Sequence, residues 1–181
     1  MTHRLEVCFL IPKVNMDTEP DGKDNPVKEQ LKLHTILRHI QGVQANCNEL
    51  AFRLAANGEN DFARQLIANG LLHDNSKLSG IEWECLHDDV SDELFQEALE
   101  HHRTTNEHHP EFWGADGIHD MPRIYVAEMV CDWKQRSSEF GSDLMEWIDE
   151  KAKKKWNFDC RDKAGKEIRD FTKLLLDKRF S

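Results

Sequence analysis

The stretch Leu66-Ile67-Ala68-Asn69-Gly70-Leu71-Leu72-His73-Asp74-Asn75-Ser76-Lys77 decides how this chain is read. A largely apolar run, of the kind that belongs in a core, ends in a histidine followed directly by an aspartate. Burying a neutral imidazole and a carboxylate among leucines costs several kcal/mol unless something compensates. A divalent metal is one compensation, because it takes both groups as ligands. A His-Asp pair also suits a surface turn, so the rest of the chain has to decide.

Working outward, the flanking sequence is helical. Upstream, Leu31, Leu33, Ile36, Leu37, Ile40, Val43, Cys47, Leu50, Ala51 and Leu54 recur near the 3.6 period. Asn25 before Pro26 is the expected start of this helix, and Gly58 its end. Asn60 or Asp61 starts the second helix, with Phe62, Leu66, Ile67, Leu71 and Leu72 expected inward. Ser79-Gly80 breaks it, and a short helix with Ile81, Trp83 and Leu86 follows. Ser91 reads as an N-cap, with Asp92 and Glu93 in the first turn of a helix that runs to His101-His102. Residues 104–121 are punctuated by Asn106, Pro110, Gly114, Gly117 and Asp120 and are expected to be irregular. Pro122 opens a strong helix with Ile124, Val126, Met129, Val130 and Trp133, and Gly141-Ser142 is expected to start another. The cluster Lys151 to Lys155 closes that one, where cations suit the helix dipole. A last amphipathic helix carries Ile168, Phe171, Leu174 and Leu175. The pattern is all-α, a helical bundle over residues 26–181. Residues 1–25 form an extended arm or loop, with 5–14 rich in β-formers and 15–26 in turn residues.

Composition narrows the function. No apolar run approaches the roughly 20 residues that span a bilayer. Glu6 interrupts the apolar stretch near the N-terminus, so no secretory signal is expected. Five scattered cysteines, with no CxxC pair, point to free thiols in a reducing compartment, the cytoplasm. A net charge of −10 argues against a long nucleic-acid partner, but it leaves room for a small phosphorylated ligand held by a metal and a few local cations. Ten histidines are the loudest signal, with five of them at His73 and within residues 101–109.

His39 lies between Ile36 and Ile40 and points at or near the core. Asp132 lies mid-helix among Val130, Cys131 and Trp133, where capping is impossible. If the helices share one centre, His39, His73, Asp74 and Asp132 supply two imidazoles and two carboxylates. That set suits an octahedral iron, manganese or magnesium site, or a catalytic zinc. A satisfied core histidine and a buried salt bridge are the plainer readings of His39 and Asp132 taken singly.

His39, then His73-Asp74, then Asp132, all on helices, resembles the HD superfamily of metal-dependent phosphohydrolases. His73-Asp74-Asn75-Ser76-Lys77 matches its HDxxK variant. The resemblance is closer to a bacterial and phage family of HD-like proteins with an HHxxxNxHH motif, here His101-His102, Asn106 and His108-His109. It runs over roughly residues 31–160. The chain departs from the pattern by a longer spacer between His39 and His73 and by the arm before residue 26. The resemblance implies an HD-like helical bundle, one or two divalent metal ions (manganese, magnesium, iron, zinc or cobalt) and, by analogy, a homodimer.

The histidine-rich segment is the second informative feature. Neighbouring histidines on a helix diverge by about 100°, so only one of each pair points squarely inward. Two functions are open. They complete a second metal site bridged by Asp74, with His101 and His102 the better ligands because they end a regular helix. Or they hold substrate phosphate and protonate the leaving group, which suits His108 and His109. Lys77, three residues after Asp74, suits an anionic oxygen as a catalytic group; the alternative is a solvent-facing lysine. Glu128 could orient a ligand histidine. Arg103 and Arg136 are substrate candidates, although Arg136 could instead pair with Asp132. Trp83, Trp113 and Trp133 read as core.

The expected activity is hydrolysis of a phosphate ester or anhydride of a small molecule, most plausibly a nucleotide, by metal-activated water. The alternatives are a di-iron oxygenase of the HD type and a non-catalytic nucleotide sensor.

Overall fold

The computed structural model describes residues 26–86 and 90–177, with side chains from residue 30. The expected arm over residues 1–25, with its Asn25 cap, lies outside the described residues. Every regular element described is helical, and there is no strand among the described residues.

The first helix, α1, runs over Pro26–Ala56. At 1.5 Å per residue its 31 residues reach about 46 Å, and along that length it packs against three of the later helices. Helix α2, Asn60–Leu72, returns antiparallel against it. A 3₁₀ turn at Asn75–Leu78 leads into α3, Gly80–Glu84. Helix α4, Asp92–Thr105, starts where expected: the Ser91 hydroxyl accepts from the Leu94 N–H. Within 104–121 two 3₁₀ turns, Pro110–Trp113 and Gly117–His119, give the segment local order. Helix α5, Arg123–Phe140, is the most buried helix. It ends at Gly141, which takes φ +64° and closes the helix by donating to the Ser137 and Ser138 carbonyls. Gly141 therefore stops α5; the next helix, α6 at Leu144–Trp147, is capped by Asp143 instead. It continues through a π-helical turn, Ile148–Ala152, into α7, Lys153–Lys155. The last, α8 at Lys163–Leu175, is capped by Asp162.

Helices α1, α2, α5 and α8 enclose one core, with Val43, Cys47, Leu50, Leu54, Leu66, Met129, Val130, Ile168 and Phe171 at its centre. Arg53 is buried there and joins α1 to α8 by donating to the Leu174 carbonyl, while Glu49 pairs with it one turn back. Trp133, Trp147 and Trp156 pack against one another with centroids 5.0–6.3 Å apart. Trp83, read as core from the sequence, is exposed.

The apolar run before His73 is not buried throughout. Leu66 and Gly70 face inward, whereas Ile67, Leu71 and Leu72 are exposed, as are Leu31 and Leu37 on α1. A helix packed on one side buries only positions three or four apart. On α2 these are Ala63, Leu66, Gly70 and, just past its end, His73. That face still delivers His73 to the interior.

Gly70 is where α2 meets α1. A methyl group there would lie 2.7 Å from the Cys47 Cβ. The Gly70→Ala protein is expected to lose about 1–3 kcal/mol, the usual cost of overpacking a core, measured by denaturant unfolding. Unchanged stability would contradict this close approach of the two helices.

Candidate metal centre

Five segments converge behind α1: His39 from its middle, His73-Asp74 past the end of α2, His102 from the last turn of α4, His108-His109 from the following loop, and Asp132 from α5. Asp74 is the hub. Its backbone takes φ +55°, ψ +20°, a left-handed conformation that aspartate tolerates better than most residues. This turns the chain sharply after His73 and aims the buried carboxylate along the seam between two groups of side chains.

Asp74 Oδ2 lies 3.6 Å from His39 Nε2 and 3.5 Å from His73 Nε2. Asp132 Oδ1 completes that side, 3.1 Å from His39 Nε2 and 4.0 Å from His73 Nε2. Asp74 Oδ1 faces the other way, 3.5 Å from His102 Nε2 and 3.4 Å from His108 Nε2. His109 Nε2 lies 3.0 Å from His102 Nε2. The ligand atoms of His39, His73 and Asp132 fall within 4.8 Å of one another, as do those of Asp74, His102, His108 and His109. Each set is of the kind that could hold a metal ion.

The outward-facing nitrogens are held by carboxylates. His39 Nδ1 donates to Glu139 Oε1 at 2.9 Å, His73 Nδ1 to Glu128 Oε1 at 3.0 Å, and His102 Nδ1 to Glu82 Oε2 at 2.8 Å. Because a carboxylate only accepts, each Nδ1 carries the proton, and each Nε2 faces the centre. His39 Nε2, His73 Nε2, Asp74 Oδ1, His108 Nε2 and Asp132 Oδ1 are all buried without a hydrogen-bond partner. At roughly 1–3 kcal/mol each, five such atoms rival the whole net stability of a domain, about 5–15 kcal/mol. All five belong to the two groups, so the residues fit a bound metal.

Electrostatics separate the two sides. Burial opposes charge on His73, but Asp74, Glu128 and Asp132 outweigh it and raise its pKa to about 9. Burial also disfavours the charged form of Asp74, yet His73 and Lys77 hold its carboxyl well below the usual range. Asp132 is likewise held low, against burial, chiefly by His39. On the other side, burial and then the charge of His73 lower His108 to about 4. Burial also lowers His102 and His109. Asp74 Oδ1 thus faces His102 and His108, imidazoles on which burial disfavours charge, with His109 behind them.

His101, expected as a ligand, lies outside both groups. Its Nδ1 donates to Glu82 Oε1 at 2.9 Å and its side chain is 44% exposed. The α4 helix turns His102 inward and so must turn His101 away. His108 and His109, expected at the substrate, lie among the ligand atoms instead. Lys77 is buried and donates to Asp74 Oδ2 at 2.6 Å. Arg136 donates to Glu139 Oε2 at 3.1 Å. Arg103 stands outside both groups, with its Nη2 buried and without a hydrogen-bond partner. Sequence reasoning misses Glu82 and Glu139. Glu139 has a usable signal, since it falls two helical turns after Asp132; Glu82 has none.

The described residues thus form an all-helical bundle around a buried histidine–aspartate cluster that could hold a metal ion. The chain belongs to the DUF5662 family, a family of unknown function, which it matches over residues 28–179. No curated protein and no solved structure matches it. Among the described residues no helix is long and apolar enough to cross a membrane.

The shifts on His73 and His108 set a pH dependence for the metal-free protein. His73 is raised on folding, so the stability it contributes is fully present below about pH 6.5 and is lost as pH rises toward about 9. His108 is lowered, so stability is lost as pH falls from about 6.5 toward about 4. Denaturant midpoints of chelator-treated protein are expected to peak near pH 6.5 and fall on both sides. A flat profile from pH 6.5 to 9 would contradict the charged state of His73.

Proposed function

We propose that this chain is a two-metal hydrolase of the HD type, acting on a phosphate ester or anhydride of a small molecule, with a nucleotide the leading substrate. The observation that carries this reading is the divided Asp74 carboxylate. One oxygen faces His39 and His73, and the other faces His102 and His108. A carboxylate so placed suits a bridge between two ions. Five imidazoles with two carboxylates favour manganese, iron, cobalt or zinc over magnesium.

Metal held by His39, His73, Asp74 and Asp132, and by His102, His108 and His109, would supply a water of lowered pKa and a Lewis acid for a phosphoryl oxygen. The chain's own residues hold the framework. Lys77 fixes Asp74 Oδ2, while Glu139, Glu128 and Glu82 fix three imidazoles in the tautomer that points Nε2 inward. Lys77 is also a buried cation in direct contact with the Asp74 carboxylate, where it would lie beside an anionic substrate oxygen.

The ordered set His39, His73-Asp74-Asn75-Ser76-Lys77, the 101–109 histidines and Asp132 supports placing the chain in the HD superfamily. A second reading, a di-iron oxygenase, is favoured by the nitrogen-rich set on the His102 side, which suits iron.

Metal-free protein reloaded with manganese, zinc or ferrous iron is to be assayed against nucleotides and small phosphoesters. Metal-dependent release of phosphate or nucleoside is expected. Glu82→Gln should lower it by roughly 10–100-fold, as loss of a partner behind a metal-ligating histidine does. Bound metal with no hydrolysis of any compound would overturn the hydrolase reading, and oxygen uptake by the iron-loaded protein would transfer it to the second.

A further inference from the structure

We infer that Gly42 and Gln135 are positioning residues for the metal centre, acting through Glu139 on His39. This rests on the metal reading above and goes beyond it, because neither residue touches the ligand atoms.

Helices α1 and α5 cross at the centre, and His39 Nε2 meets Asp132 Oδ1 there at 3.1 Å. One turn further along each helix stand Gly42 and Gln135. A methyl group on Gly42 would overlap all three outer atoms of the Gln135 carboxamide. The glycine is therefore a slot in α1 through which Gln135 passes. A mid-helix glycine is less favourable than alanine by roughly 1 kcal/mol, and neither a turn nor a positive φ requires one at residue 42, which is absent from the positive-φ glycines.

What the slot provides is a hydrogen bond. Gln135 Nε2 donates to Glu139 Oε1 at 3.0 Å, and the same oxygen accepts from His39 Nδ1 at 2.9 Å. Arg136 Nη1 holds the other oxygen, Glu139 Oε2, at 3.1 Å. Glu139 sits near the surface, with its side chain 18% exposed. Left alone, such a carboxylate would rotate into water. Gln135 on one oxygen and Arg136 on the other fix its plane, and the fixed plane orients the His39 ring so that Nε2 points at Asp74 and Asp132. The atoms in conflict with a Gly42 methyl group are the far end of a flexible side chain. A substitution would displace the carboxamide without forcing the helices apart, so the effect should fall on His39 and not on the fold.

The test is a double-mutant cycle on the full chain. Gly42→Ala, Gln135→Ala and the pair are compared with wild type and His39→Ala. Affinity for zinc is measured by competition with a chromophoric chelator, and the metal-free stability of each protein by denaturant unfolding. Gly42→Ala and Gln135→Ala should each weaken zinc binding by about tenfold or more. The pair should be no weaker than Gln135→Ala alone, because once the carboxamide is gone the methyl group has nothing to displace. Metal-free stability of the pair should equal or exceed that of Gln135→Ala, since alanine is the better helix former. Wild-type zinc affinity in Gly42→Ala, or losses that add in the pair, would overturn the inference. If His39→Ala also binds zinc like wild type, it is the metal reading itself that fails.

Discussion

The Asp74 carboxylate, buried and divided between two sets of imidazoles, is the constraint on which the rest of the site depends. Just past the end of α2, where His73 bonds Glu128, the left-handed backbone of Asp74 starts the 3₁₀ turn that carries Lys77 back onto Oδ2. A charged carboxylate at 2% exposure is tolerable only with compensation. Lys77 and His73 supply part of it, which is why its carboxyl titrates so low. Oδ1, which has no hydrogen-bond partner, is the part left over, and it faces His102 and His108.

The helices follow from that requirement. Length lets α1 place His39 opposite Asp132 while its flanks pack on α2 and α8. The Gly70–Cys47 contact sets how closely α2 approaches, and so where His73 arrives. The outer carboxylates come from different elements: Glu82 from α3, Glu128 and Glu139 from α5. Each holds an imidazole whose ligand atom belongs to the centre, so displacing any of these helices misdirects a ligand.

Much of this is legible in the sequence, for physical reasons that also mark where legibility stops. His39 and Asp132 stand out because a polar residue on the apolar face of a long helix needs a buried partner to offset its lost hydration. The all-helical pattern follows from 3.6 periodicity. The exposure of Leu71 and Leu72 is not legible, because a run of apolar residues does not say which side of the helix is covered. The sequence favours His101 over His108 and His109 as a ligand because it ends a regular helix, yet the choice between adjacent histidines is made by the direction of α4 against α3. His108 and His109 lie in a segment without a period, so no pattern could place them. Glu82 sits near Glu84 in a five-residue helix, and only tertiary packing selects the one that becomes buried.

The proposed bridging of two metal ions by Asp74 is open to anomalous diffraction from crystals of the zinc- or iron-loaded protein. Two peaks are expected, one beside His39, His73 and Asp132 and the other beside His102, His108 and His109, with the Asp74 carboxylate between them. A single peak, or peaks away from these residues, would contradict the account.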